Sequence, residues 1–158
     1  MPLTRTATAL SIAACALLAT SASLAQAPAQ KPTPDFLATA AAVKGAVLSE
    51  SGLVYLSLKD GQGESPAAID SVRVHYRGTL TDGKEFDSSY SRGQPATFPL
   101  NRVIKCWTEG VQKMKVGGKA RLTCPASIAY GERGTPGGPI PPNAVLQFEV
   151  ELLAIMKP

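Results

Sequence analysis

Three stretches of the chain alternate apolar and polar residues with a period of two. Val72, Val74 and Tyr76 alternate with Arg73, His75 and Arg77, and Ala120, Leu122 and Cys124 alternate with Lys119, Arg121 and Thr123. Near the end, Leu146, Phe148, Val150 and Leu152 alternate with Gln147, Glu149 and Glu151. Successive side chains of a strand point to opposite faces, so each stretch reads as a strand buried on one side. The first places Tyr76 on the apolar face and His75 on the wet one. Leu53–Leu58 is a shorter apolar run closed by the turn cluster Asp60-Gly61-Gln62-Gly63, and Asp82-Gly83 marks a hairpin before Glu85-Phe86-Asp87. Phe98 and Leu100 suit one more short strand.

A different period appears in Asn101–Met114. Val103, Ile104, Trp107, Val111 and Met114 recur at three- and four-residue steps, which predicts a helix with one apolar stripe carrying the only tryptophan. Lys113, Lys115 and Gly117-Gly118 suit its C-terminal end. Gly110 inside it costs about 1 kcal/mol against alanine, so packing must hold this helix. About five antiparallel strands and one short helix on their apolar face predict an α+β domain.

The ends of the chain read differently. Arg5 is the only charge in residues 1–25, an Ala- and Leu-rich run follows it, and Ser23-Leu24-Ala25 offers small residues for cleavage. This predicts a secretory signal peptide over 1–25, too short to remain as a membrane span. Cys15 loosely fits a lipoprotein site, but the apolar run continues past it, which argues against lipid attachment. Residues 26–50, with Pro28, Pro32 and Pro34 before an alanine-rich patch, read as a flexible tether with at most two helical turns, leaving 51–158 as the domain. No heptad pattern is long enough for a dimerising coiled coil, so a monomer is expected.

Composition narrows the function further. Signal removal leaves 15 of the 16 basic residues against 12 acidic ones, with no basic run, so nothing points to nucleic acid or an anionic membrane. Two cysteines and one distant histidine do not make a zinc cluster, and no cofactor motif is present. His75 and a cysteine also fail as a hydrolytic pair, because they alternate onto opposite faces. The long loop Tyr130–Asn143 is stiffened by four prolines and carries Tyr130 and Ile140 as inward anchors, which suits a pocket rim.

Six pieces in order carry a resemblance: Val74-His75-Tyr76-Arg77-Gly78, Asp82–Ser89, Val103-Ile104 with Trp107-Thr108-Glu109-Gly110, Ala129-Tyr130-Gly131, Ile140–Asn143 and Val150–Leu153. Together they resemble the FKBP-type peptidyl-prolyl cis-trans isomerases over about residues 51–158. The resemblance implies a twisted, half-open antiparallel sheet wrapped around the helix, with an active pocket between them. It implies Trp107 as pocket floor, with Tyr76, Phe86, Val103, Ile104, Tyr130, Ile140 and Phe148 as walls. It also implies Asp87 as the polar group at one side, paired with Arg92. Proline-containing segments of exported proteins, and macrolides such as tacrolimus or rapamycin, are the implied ligands. The Tyr130 hydroxyl and Ile104 N–H are the implied donors to ligand carbonyls. Each aromatic position also fits a plain core residue, and the pocket equally fits a non-catalytic binding module or chaperone.

Three departures from the family pattern carry expectations of their own. Ala96 stands where many members place a wall phenylalanine, predicting a wider pocket there. Two residues are missing between Phe98 and Val103, which shortens the approach to the helix. Cys106 replaces the usual glycine before the tryptophan. Cys106 and Cys124 are the only cysteines left after signal cleavage, and the expected destination, a periplasm or the exterior, is oxidising. Both positions face the packed helix–sheet junction, so a disulfide between them is predicted.

Overall fold

The computed structural model describes residues 34–158; the expected signal peptide and the first part of the tether lie outside the described residues. The alternating stretches pair as antiparallel strands. In the centre, β3 (Ser71–Leu80) and β7 (Leu146–Met156) run side by side, with Tyr76 opposite Val150 and Gly78 opposite Phe148. Each buries every second residue, as its sequence pattern requires: Val72, Val74 and Tyr76 on β3, and Leu146, Phe148, Val150 and Leu152 on β7. On the far side of β7 lies β6 (Lys119–Cys124), followed by β2 (Val54–Lys59) and the edge strand β1 (Ala46–Leu48).

The other edge of the sheet is split. β4 (Glu85–Ser88) and β5 (Ala96–Pro99) both pair with β3, β5 along 71–74 and β4 along 77–79. Ser89 bridges the gap between them. Its N–H donates to the Tyr76 carbonyl at 2.9 Å, and its hydroxyl accepts the Tyr76 N–H at 2.8 Å. The described strands thus number seven, where about five were expected. One difference is β1: pairing begins at Ala46, inside the stretch read as tether, and the short helix α1 (Pro34–Ala41) lies against β1 and β2. An alanine-rich sequence carries no period-two signal, so this edge strand was invisible to pattern.

The second helix, α2 (Lys105–Gln112), crosses the buried face and is shorter than its apolar stripe. A 3₁₀ turn, Leu100–Arg102, precedes it, and Val103 and Ile104 are extended rather than helical. An extended link running into a helix can align apolar residues much as a longer helix would, which misled the periodicity. Inside α2, Gly110 is required by contact. A Cβ there would lie 2.7 Å from a Leu122 methyl on β6. The propensity cost of this glycine is therefore the condition for close helix–sheet packing. No helix of the described residues is long and apolar enough to cross a membrane.

Cys106 on α2 and Cys124 at the end of β6 form the expected disulfide, with Cα atoms 5.9 Å apart and both residues fully buried. The bond ties the helix to the strand that leads into the Tyr130 loop. Closing a loop of this size is worth about 3 kcal/mol in the chain-entropy account. Replacing both cysteines by alanine is therefore expected to lower unfolding free energy by about 3 kcal/mol in urea titrations. An unchanged midpoint would show that helix packing alone sets the stability.

Candidate functional site

Where α2 meets the concave face, the sheet leaves a cavity of about 360 Å³ lined by Tyr76, Phe86, Asp87, Phe98, Arg102, Val103, Ile104, Trp107, Tyr130 and Phe148. Trp107 lies at its base, 5% exposed, and three rings stand nearly perpendicular to the indole: Tyr76 at 5.2 Å, Phe98 at 5.6 Å and Phe148 at 5.4 Å between centroids. Phe86 meets Phe148 in the same edge-to-face manner at 5.5 Å. Such pairs contribute about 0.5–1.5 kcal/mol each beyond their buried area, so the rings fix one another. The indole N–H is buried and bonds to no oxygen or nitrogen among the described residues. Aromatic packing therefore holds the floor of the cavity.

One glycine makes that packing possible. A Cβ on Gly78 would lie 2.5 Å from the tip of Phe86 and 3.0 Å from Phe148. The two rings meet over bare backbone in the middle of the sheet. In the sequence Gly78 stands only at the end of a motif piece, and its packing role is hidden because nothing local, neither a turn nor a breaker cluster, marks it.

The polar side of the cavity is a closed network. The Tyr76 hydroxyl donates to Asp87 at 2.5 Å, Arg92 donates to the other Asp87 oxygen, and Arg92 also donates to the Tyr76 hydroxyl at 2.8 Å. Burial pushes the Asp87 carboxyl up, but the bonds from Tyr76 and Arg92 prevail and hold it below the usual carboxylate range. Burial, then the bond to Asp87, pushes the Tyr76 hydroxyl above the ordinary tyrosine value. Burial and the neighbouring Asp87 charge do the same to Tyr130. Two donors stay unspent among the described residues: the Tyr130 hydroxyl at the rim, and the Ile104 N–H just before α2.

Most residues singled out by sequence meet here, with one exception. Ile140 does not line the cavity; it is 5% exposed within the core, where its N–H donates to the Thr135 hydroxyl at 3.0 Å and its carbonyl accepts the Thr135 N–H. The proline loop thus uses Ile140 as an anchor beneath the rim. Arg92 forms the expected pair with Asp87 and also donates to the Tyr76 hydroxyl, and it is exposed and not among the cavity-lining residues. Near Ala96, Phe98, two residues on and on the same strand face, lines the cavity. Phe98 and Arg102 were the lining residues not anticipated; the period of β5 gave the signal for Phe98. His75 lies apart from the cavity, stacked on Tyr90 at 4.7 Å with Nδ1 3.0 Å from the Ser89 hydroxyl.

The site is an aromatic cavity between a short helix and an antiparallel sheet, with one carboxylate already paired to Arg92 and Tyr76. The model of FKBP-type peptidyl-prolyl cis-trans isomerases matches residues 62–153. The chain belongs to that family. It is 57% identical over 129 residues to the FKBP-type peptidyl-prolyl cis-trans isomerase FkpA of Aeromonas hydrophila, covering 82% of this chain and 47% of that protein. The crystal structure of FkpA from Escherichia coli superposes with a TM-score of 0.74 at 49% identity, over 77% of this chain and 56% of that one. A peptidyl-prolyl cis-trans isomerase from Pseudomonas syringae gives 0.73 at 40% identity, over 78% and 90%. The chain thus spans about half the length of the curated relative it matches.

The contact at Gly78 can be checked directly. Gly78→Ala is expected to destabilise the fold by about 1–3 kcal/mol through overpacking, with a shift in Trp107 fluorescence as the ring cluster reopens. A variant of unchanged stability and emission would mean that Phe86 swings clear at no cost.

Proposed function

We propose that the protein accelerates cis–trans rotation about X–Pro bonds of exported proteins as they fold, in a periplasm or outside the cell. The observation that carries this reading is the aromatic cavity whose one carboxylate among the described residues is already satisfied by Tyr76 and Arg92. Rotation about a peptide bond is opposed by about 18–20 kcal/mol of amide resonance. The planar amide separates charge, which water stabilises, whereas the twisted form is less polar. A dry wall of Trp107, Tyr76, Phe86, Phe98 and Phe148 withdraws that stabilisation from the planar form, so the enzyme binds the twisted state better. The Tyr130 hydroxyl and Ile104 N–H then hold the carbonyls flanking the bond, while Asp87, kept in place by Tyr76 and Arg92, sets the polar side. Macrolides of the tacrolimus type compete for the same walls. A non-catalytic role in holding proline-rich segments uses the same cavity and differs only in turnover.

A protease-free assay with a Leu-Pro tetrapeptide separates the two. The purified protein is expected to raise the rate above background, with Tyr130→Phe losing about two- to tenfold in kcat/KM, the worth of one hydrogen bond. Trp107→Leu is expected to cost a similar factor or more through lost ring packing. No acceleration by the wild-type protein would leave only the holding role.

The pH profile follows from the site. Asp87 is depressed below about 3.9 and the two tyrosines are raised above about 10, so none of the three changes charge between those values. The kcat/KM is expected to stay flat from about pH 5 to 9. A bell-shaped profile in that window that persisted in His75→Gln would assign a proton transfer to the reaction and overturn the desolvation mechanism.

A further inference from the structure

Arg102 is the charged residue of the cavity lining that the proposed mechanism leaves without a task. It is exposed, it lines the same cavity as Trp107, and among the described residues its guanidinium forms no ion pair and no hydrogen bond to a carboxylate. The carboxylate within the cavity cannot serve as its partner, because Asp87 is held by Arg92 and Tyr76. The rim of an otherwise apolar cavity therefore carries one uncompensated positive charge, and low-dielectric walls focus the field of such a charge into the cleft.

The backbone beneath Arg102 is fixed on both sides. Leu100 of the same 3₁₀ turn is fully buried, its N–H donates to the Asp70 carbonyl at 3.0 Å, and its own carbonyl accepts the Thr108 hydroxyl at 2.6 Å. Two residues after Arg102 comes Ile104, whose unspent N–H faces a ligand carbonyl in the proposed mechanism. A client held at Ile104 thus passes a planar, permanently charged, donor-rich side chain whose matching group is a carboxylate.

We propose that Arg102 sets sequence preference, favouring client segments that carry an aspartate or glutamate within two residues of the prolyl bond. This rests on the cavity being the peptide site, and the experiment is chosen to separate the two claims. Peptides with uncharged ends are compared in sets differing only in Glu, Gln or Lys, placed one or two residues before proline or one or two after it. The readout is the Glu-to-Gln ratio of kcat/KM within each protein variant, so overall changes in activity cancel.

An exposed charge pair of about 0.2–1 kcal/mol gives a ratio of about 1.5 to 5 in at least one set. That ratio should fall toward one near 1 M salt, where the Debye length is about 3 Å. Arg102→Lys should keep part of it, Arg102→Gln should bring it to one, and Arg102→Glu should transfer the preference to lysine. A wild-type ratio of one in every set, or a ratio that survives in Arg102→Gln, overturns the assignment. If the wild-type protein turned over no peptide at all, the isomerase reading would fall. The same ratios taken as Kd values by calorimetry would then still decide the charge preference.

Discussion

Everything in this molecule depends on how closely one eight-residue helix approaches the sheet. Helices of that length are not stable in water by themselves. α2 persists because Cys106, Trp107, Gly110 and Val111 are buried against the strands, with Gly110 giving up its side chain to let Leu122 through. Moving the helix outward by the thickness of a methyl group would separate the Trp107 ring from Phe148 and Tyr76 and so unmake the cavity. The disulfide joins the same two elements at the same place, so the cavity floor and the strand before its rim are held together by both packing and a covalent bond.

The charges of the site serve geometry. Asp87 is surrounded by its own donors, which hold its carboxyl below the usual range and fix its position as a corner of the site. Ser89 supports the corner from behind: it caps both backbone groups of Tyr76 and occupies the gap between β5 and β4. A fully buried serine inside a break in an edge strand thereby fixes the direction of the tyrosine whose hydroxyl positions the carboxylate.

Much of this was legible in the sequence where periodicity is strong. The alternation on β3, β6 and β7 gave both the strands and their buried faces, and it correctly separated Tyr76 from His75. Legibility failed where residues act through contacts distant along the chain. Gly78 matters only because Phe86 and Phe148 converge over it from two other strands. Ile140 looked like a rim residue because its loop is stiff and apolar, but the Thr135 bonds turn it into the core. Val103 and Ile104 continued the helical stripe by spacing although they are extended, with Ile104 as the N-cap of α2.

The split edge of the sheet has a consequence for how the protein meets other polypeptide chains. An unpaired strand edge is a template on which a foreign extended segment can add and aggregate. Here one edge is β1, only three residues long, and the other is broken into two four-residue strands by the excursion that carries Ser89 and Arg92. Neither offers a continuous row of backbone groups long enough to recruit a client as an extra strand. Under the proposed function, contact with half-folded polypeptides would fall to the side-chain cavity and not to backbone pairing along an edge.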